Sequence, residues 1–420
     1  SNGDPMTADD VKFSLERFLS SASKTINRQT LSTSIGSIDV VDPLTIKLTM
    51  KSPLIDLPYL LTANEGIVLP SKYIAKVGWA DFAKQPIGSG PYTLVDHKAG
   101  QSVTYRPNTS YWGSAKPSLK EIKLLAVPEE QTRIALLESG KADLADISAT
   151  SSGAVQKAGF KTVLVPATYT YAIYFAGAYG NYKDTPVKKL AVRKALALAL
   201  DKKAILNALS PGQGEVANQA SVADASQGVP DMPPTPYDPN QAKQLLQQAG
   251  YPKGFTFKFY AWDSLGCSSE TAKEFAQAVA GYWQKIGVTT EITPASITVM
   301  RPKIFGKPVS PDVVGAAFDF CPGGGEPLRT LALDYYSKGT LHATDVADGD
   351  IENALKATSP QEQIRLVGSA YRKIYNDYST IPVLFAGHVF AADGKLAGYP
   401  TTRGTATMLL WWITPRPASK

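Results

Sequence analysis

The chain has 420 residues, of which 44% are hydrophobic and 19% charged, a balance typical of a globular protein. One hydrophobic core seldom serves a chain of this length, so we expect two or more domains. No apolar run reaches the roughly 20 residues that span a bilayer. The net charge of +6 is scattered without a basic tract, which argues against nucleic-acid binding.

The N-terminal part carries signals for one helix and two hairpins. Thr7 and Asp10 have the spacing of a capping box, which predicts that a helix begins there. Alternating apolar residues on both sides of Pro43 predict a hairpin within 38–50. The same alternation around 98–101 predicts a second hairpin, and a strand and a helix follow within 122–139.

The central stretch joins an extended run to a helix. Thr170–Phe175 is rich in aromatic and β-branched residues and predicts a strand. Thr185 and Pro186 then have the residue types favoured at a helix N-cap and first turn. Since no Gly or Pro interrupts the sequence before Ser210, we expect a single long helix.

The second half alternates strand and helix signals, which favours an α/β lobe with a largely parallel sheet. Asp238 and Ser359 both precede Pro and have a Gln or Glu three residues on, so each predicts a helix N-terminus. Strands are predicted at 255–259, 288–292, 313–317 and 383–391, and a helix with a buried stripe at 269–286.

No set of residues predicts catalysis. His97, His342 and His388 lie in unrelated contexts, and none has a partner at the spacing of a metal pair. No serine has a positioned base nearby in the sequence. We therefore expect neither an enzyme nor a bound metal or cofactor, and a hydrolase acting on a small amide or ester remains the alternative.

Binding between two lobes needs flat apolar surfaces and a few charged groups. Trp262 ends a predicted strand, and Asp319 with Phe320 follows another, which is where ligands contact open α/β sheets. Arg301 lies before the same strand and suits a carboxylate. The remaining candidates for the pocket are Tyr169, Tyr171 and Trp411.

The two cysteines, Cys267 and Cys321, leave two possibilities open. An even, low count fits either one disulfide or two buried thiols.

Several short motifs occur in one order along the chain. They are Thr7-Ala8-Asp9-Asp10-Val11, Gly88-Ser89-Gly90-Pro91-Tyr92, Tyr111-Trp112-Gly113, the segment Leu137–Asp143 and Val192-Arg193-Lys194-Ala195-Leu196 with its continuation to Ile205. In this order and at these spacings the chain resembles the solute-binding proteins of peptide-type ABC importers, family 5.

The resemblance implies an α/β fold of two lobes, a type II periplasmic-binding-protein-like fold with an extra subdomain on the first lobe. We expect residues 1–110 in that subdomain, 111–178 in the core of lobe 1, 179–388 in lobe 2 and 389–420 returning to lobe 1. The chain would cross between lobes near Tyr171–Asn181 and near Ala386–Gly394.

The resemblance also implies a function. Asp319 takes the place of the aspartate that holds a peptide's α-ammonium group, although Phe318 and the residues after Phe320 depart from the family pattern. The expected ligand is a short peptide or another small polar molecule, captured by hinge closure and delivered to an ABC permease. Likeness to exported proteins favours a disulfide between Cys267 and Cys321, and a monomer in the periplasm or associated with the outer face of a membrane.

In the family, the segment that Thr7–Val11 resembles normally follows several tens of residues that supply strands to the first lobe, and by this resemblance we expect that they are missing before Ser1. The chain therefore resembles a member that has lost its N-terminal segment, and a separate N-terminal fragment is a possible partner. A truncated module that senses or docks without transport is a further alternative.

Overall fold

A computed structural model describes residues 2–23, 28–62, 64–114, 116–219, 227–263, 269–320, 326–397, 399 and 413–415 of the chain. Across these ranges, every helix is either too short or too polar to cross a membrane.

The first module packs helices against a β-hairpin. The carboxylate of Asp10 accepts a hydrogen bond from the backbone N–H of Thr7 at 2.9 Å, so the predicted helix start is confirmed. The predicted hairpin is also present, and Leu15, Leu31 and Leu60 are buried between it and the helices. The elements are α1 (Ala8–Leu19), α2 (Arg28–Ser34), β1 (Ile35–Asp42), β2 (Thr45–Met50), α3 (Leu57–Leu60) and α4 (Ser71–Lys84).

A small antiparallel sheet of three strands follows this module. It contains the second predicted hairpin, and its third strand pairs with the second strand of that hairpin. The strands are β3 (Tyr92–Lys98), β4 (Ser102–Pro107) and β5 (Ile122–Leu125).

The rest of the chain builds one larger sheet covered by helices. From residue 130 to 263 the elements are α5 (Glu130–Glu138), β6 (Leu144–Ile147), α6 (Ser152–Lys157), β7 (Lys161–Phe175), α7 (Leu190–Leu198), α8 (Lys202–Leu209), β8 (Gly214–Val216), α9 (Pro239–Gln248) and β9 (Phe255–Asp263). From residue 269 onward they are α10 (Ser269–Gln284), β10 (Val288–Ser296), α11 (Ile297–Ile304), β11 (Ala317–Phe320), α12 (Pro327–Thr330), α13 (Asp348–Lys356), α14 (Pro360–Asp377), β12 (Ile381–Ala392), β13 (Leu396–Ala397) and β14 (Thr414–Pro415).

The two longest strands, β7 and β12, pair with each other over most of their length. The sheet has the order β10-β9-β11-β7-β12-β6, and β8 also pairs with β12. One end of this ribbon carries β6, which pairs with Val389–Ala392. The other end carries β11, which pairs with Ala172–Phe175. The β7–β12 ribbon is therefore the part of the sheet that connects its two ends.

The expectation of a largely parallel sheet is confirmed for β9, β10 and β11 but is wrong for the rest of the sheet. Strand β9 is parallel to β10 and β11, but β7 is antiparallel to both β11 and β12. Parallel neighbours require a crossover such as α10, which joins β9 to β10. Strand β7 instead enters from the opposite end of the sheet, so its direction opposes that of β11.

The prediction of a single long helix after Pro186 is also wrong. Residues 186–188 form a short 3₁₀ turn, and the helical run is then divided into α7 and α8. Asp201 causes the restart, because its carboxylate accepts a hydrogen bond from the backbone N–H of Ala204 at 3.0 Å. The break lets Leu198, Leu200 and Ile205 all enter one core.

Alternate side chains of strand β7 enter two different hydrophobic cores, one on each face of the sheet. Tyr171, Ile173 and Phe175 belong to the core formed with α7, α9 and α10. Ala172 and Tyr174 belong to the core on the opposite face, formed with α11, α13 and α14. A sheet covered by helices on both faces is what an α/β lobe requires.

Candidate functional site

Trp262 and Asp319 lie side by side at one end of the sheet. The backbone N–H of Trp262 donates to the Asp319 carboxylate at 3.0 Å. Both residues have 0% exposure, and the Trp262 ring packs edge-on against Phe305 and Phe318. Any solute that touches these two side chains must first displace what covers them.

The strand that carries Asp319 begins later than expected. Residues 311–315 form turns, in which Gly315 has a left-handed φ of 84°. The strand is therefore 317–320 rather than 313–317, and Asp319 lies within it instead of following it. Phe320 is paired with Ala172 through its backbone.

A cleft with about 750 Å³ of open space lies along the β7–β12 ribbon. We call it the crossing cleft. Its walls come from the end of β6 on one side and from the start of α10 on the other, with the ribbon between them. The lining includes Asp146, Tyr169, Tyr171, His388, Thr271 and Glu274.

Two of the predicted pocket residues, Tyr169 and Tyr171, line the crossing cleft. Tyr171 packs against Phe275 with ring centroids 5.3 Å apart and forms a side-chain hydrogen bond with Thr271. Burial, with smaller contributions from the carboxylates of Asp319 and Glu274, raises the pKa of Tyr171 to about 12, so its hydroxyl stays protonated at neutral pH.

His388 is bonded to the side chains of two neighbouring strands in the cleft. Its Nδ1 lies 2.7 Å from the Tyr169 hydroxyl, and its Nε2 lies 2.7 Å from a carboxylate oxygen of Asp146. Its ring is stacked on Phe390, with centroids 4.6 Å apart. The side chain thus ties β12 to both β7 and β6 at the wall of the cleft.

Asp146 is itself held from the N-terminal end of α5. The Arg133 guanidinium donates to the backbone carbonyl of Asp146 at 2.8 Å and to those of Val127 and Pro128. The nearby Glu130 carboxylate accepts hydrogen bonds from the N–H and hydroxyl of Ser148. The Nε and Nη1 groups of the arginine are therefore engaged with backbone oxygens.

The other predicted site residues are not brought to the crossing cleft by the described part of the chain. Arg301 is exposed on α11, where its guanidinium lies 5.8 Å from the Phe305 ring centroid. Trp411 and both cysteines, Cys267 and Cys321, lie outside the described residues, so the disulfide stays a prediction. Among the described residues, no cluster of three or more His, Asp or Glu side chains is arranged to hold a metal ion.

Sequence reasoning missed Asp146 and His388 as a pair. They are more than two hundred positions apart, and only the register of β6 on β12 brings them together. One signal was present, because His388 is the one charged or titratable residue in the otherwise apolar strand Ile381–Ala392.

Comparison with known proteins gives consistent results. The model of the family described as bacterial extracellular solute-binding proteins, family 5 Middle, matches residues 1–320. Heme-binding protein A of Haemophilus influenzae is 27% identical over 380 residues, which are 87% of this chain and 67% of that protein. Glutathione-binding protein GsiB of Salmonella typhimurium is 27% identical over 412 residues, 95% of this chain and 78% of that protein.

One solved structure extends the comparison to the fold. The periplasmic binding protein DppA of Helicobacter pylori, in complex with the peptide STSA, superposes with a TM-score of 0.79. The match covers 98% of this chain and 82% of DppA at 20% identity. The expected two-lobed α/β fold of type II periplasmic binding proteins is thereby confirmed.

Proposed function

The chain belongs to the bacterial extracellular solute-binding proteins of family 5, and from this membership we propose that its crossing cleft captures a short peptide or a similar small polar solute. Proteins of this family serve ABC importers from outside the cytoplasm. The relatives described above are named for binding heme and glutathione, and one is seen with a peptide. For this chain we favour the peptide-like class, because polar hydroxyl, imidazole and carboxylate groups line the cleft.

The observation that carries the proposal is the position of the cleft on the β7–β12 ribbon. We take the ribbon as the crossing between lobe 1 and lobe 2, with changes of lobe near residues 178 and 388. A solute bound there contacts residues on both sides of the crossing, such as Asp146 and Thr271. It therefore stabilises a closed arrangement, which then docks on the permease.

Asp319, Trp262, Phe320, Arg301 and Trp411 remain proposed ligand residues beside the two tyrosines. Asp319 would pair with an ammonium group. Because Asp319 and Trp262 are covered in this arrangement, we propose that they act in an opened form, with the buried hydrogen bond between them holding the carboxylate in place.

The hydrolase alternative gains no support from the cleft. His388 is the one histidine that lines it, and both ring nitrogens are already engaged with Tyr169 and Asp146. The hydroxyl that its Nδ1 meets belongs to Tyr169, whose pKa is raised by burial, and in the described part of the chain no serine or cysteine is bonded to the ring to act as a nucleophile. Recovery of an intact solute from the protein would support binding, whereas its conversion would support an enzyme.

We further propose that an additional extended segment packs into lobe 1. A groove with about 1400 Å³ of open space lies between β5 and β6, and its lining includes Leu124, Leu144 and Phe390. On its groove side, β6 pairs with no other strand of the described residues. A partly apolar groove beside an open strand edge suits an added strand, and a separate N-terminal fragment is the occupant we propose. The protein would otherwise be a monomer.

Native mass spectrometry followed by denaturation tests these proposals together. A released peptide or small polar molecule supports solute binding, and a second polypeptide supports the fragment. The purified chain is then titrated with the dipeptide Ala-Ala and with glutathione by calorimetry. Tyr171→Phe, compared with the exposed Tyr237→Phe as a control, should weaken binding by about tenfold through loss of one hydrogen bond. Equal affinities in the two variants would remove Tyr171 from the site.

A further inference from the structure

The side chains of Tyr169, His388 and Asp146 form a continuous hydrogen-bonded chain at the wall of the crossing cleft. The two heavy-atom distances are both 2.7 Å, which are good hydrogen bonds for these atom types. Tyr169 is 6% exposed and the His388 side chain 19%, whereas the Asp146 side chain is 50% exposed. The Tyr169–His388 link is therefore shielded from water, and the Asp146 end meets solvent.

The chemistry of the three groups allows one direction when His388 is neutral. An ionised carboxylate can only accept, so the imidazole must place its proton on Nε2 and donate to Asp146. Nδ1 then carries a lone pair and can only accept. It follows that the Tyr169 hydroxyl donates its single proton to His388. Burial and the charge of Asp146 both raise the pKa of Tyr169, which keeps that proton on the phenol.

We propose that His388 is a positioning residue that makes Tyr169 a hydrogen-bond acceptor toward the solute. This inference rests on the proposed function of the crossing cleft and deepens it by stating a solute chemistry. With its proton committed to His388, the Tyr169 oxygen can only accept from any further group. The cleft then selects a solute that presents an N–H donor, above all an ammonium group, at the β7–β12 ribbon.

The charged groups around His388 also favour an ammonium group in the cleft. On the β6 side they are the carboxylates of Asp146 and Glu130 and the guanidinium of Arg133, which is engaged with three backbone carbonyls. On the α10 side the charged group that lines the cleft is Glu274. With three carboxylates against one guanidinium, the lining favours a solute ammonium group over a solute carboxylate.

Protonation of His388 would reverse the direction of its hydrogen bond with Tyr169. A cationic imidazole donates from both nitrogens, so Nδ1–H would donate to the Tyr169 oxygen. The tyrosine proton would then turn toward the cleft and offer a donor to the solute. Selection for an ammonium group therefore belongs to the neutral ring.

The first test needs no solute. Nitrogen-15 NMR of the full chain at pH 8 reports which imidazole nitrogen carries the proton, and the chain has only 3 histidines to assign. His388→Phe, which keeps a flat ring against Phe390, identifies the signal by its loss. We expect a protonated Nε2 and an unprotonated Nδ1. The opposite tautomer, or a cationic ring at pH 8, overturns the inference.

The second test measures selection with a matched pair of probes, Ala-Ala and N-acetyl-Ala-Ala, which lacks the ammonium group. Calorimetry at pH 8 should give about tenfold or greater preference for Ala-Ala. Tyr169→Phe and His388→Phe should both reduce this preference, whereas Tyr237→Phe should leave it unchanged. Equal binding of the two probes to the unaltered chain overturns the inference. If neither probe binds, the peptide proposal fails. The NMR result still decides whether Tyr169 donates its proton to His388.

Discussion

Arg193 and Asp377 form an ion pair inside the protein, 2.8 Å apart, with side chains only 3% and 15% exposed. The guanidinium also donates to the backbone carbonyls of Asp377, Val187 and Lys188. The Arg193 side chain thus supplies hydrogen bonds both to the backbone that enters α7 and to the end of α14. Its place in the Val-Arg-Lys-Ala-Leu motif has a structural explanation, which does not involve the solute.

Arg193→Met should therefore destabilise the protein strongly. It removes the cation that pairs with the largely buried Asp377 carboxylate and leaves several buried carbonyls without the arginine donor, a loss of about 3 kcal/mol or more in the free energy of unfolding. Urea unfolding followed by circular dichroism measures the change. Arg365→Met is the matched control, because Arg365 pairs with Glu362 on the surface and its loss should be barely detectable. Similar effects in both variants would contradict the assigned role.

Asp201→Ala should destabilise α8 without altering the crossing cleft. The substitution removes the carboxylate that accepts from the N–H of Ala204, and the expected loss of unfolding free energy is about 1 kcal/mol. Asp184→Ala provides the comparison, since Asp184 is exposed and precedes the 3₁₀ turn. If α7 and α8 behaved as one continuous helix in solution, alanine at position 201 would stabilise instead.

Gly387→Ala should disturb the ribbon at the point where its register shifts. An added Cβ would meet the Leu164 side chain and would lie 2.9 Å from the backbone oxygen of Val165. We expect a loss of about 1–3 kcal/mol from overpacking, together with weaker solute binding. Gly153→Ala is the control, because open space surrounds that position in α6 and alanine favours the helix. An unchanged melting temperature for Gly387→Ala would show that the strands can separate there at no cost.

Asp334 should give the protein a pH-dependent loss of stability. Burial raises its pKa to about 7, against the opposing charge of Arg329. Since the folded state then holds a proton that the unfolded state has lost, the stabilising contribution is complete below about pH 4 and declines as pH rises to about 7. Asp334→Asn should thus be relatively more stable at pH 8 than at pH 4, measured against the unaltered chain.

The exposed Asp81→Asn serves as the control for that series, because Asp81 pairs with Lys84 at the surface. Its stability relative to the unaltered chain should not follow the same pH profile. A constant difference between Asp334→Asn and the unaltered chain from pH 4 to 8 would show that Asp334 titrates normally.

Local signals in the sequence predicted local structure well. The helix starts at Asp238 and Ser359 are both confirmed by side chains that accept from the N–H three residues later. Such bonds involve neighbours in the chain, so composition and spacing suffice to find them. The buried stripe of α10, including Phe275 and Trp283, is confirmed for the same reason.

Features that depend on distant pairing could not be predicted in this way. The break at Asp201 has a local cause, its capping hydrogen bond with Ala204, but it was missed because no Gly or Pro marks it in the sequence. The tie between His388 and Asp146 arises from strand register, and the direction of β7 depends on where the chain enters the sheet. The family resemblance supplied the fold, but it led to Asp319 and gave no indication of His388.

The β7–β12 ribbon constrains how this protein could change its solute during evolution. Side chains on a strand alternate between faces, so inserting or deleting one residue in either strand would exchange the cleft-facing and core-facing sets beyond that point. Register shifts already occur on both sides of Leu384–Ala386, and a further one would bury His388 or Tyr169 on the wrong face. New specificities should therefore be reached by replacing single side chains at fixed positions, while length changes are confined to the surrounding loops.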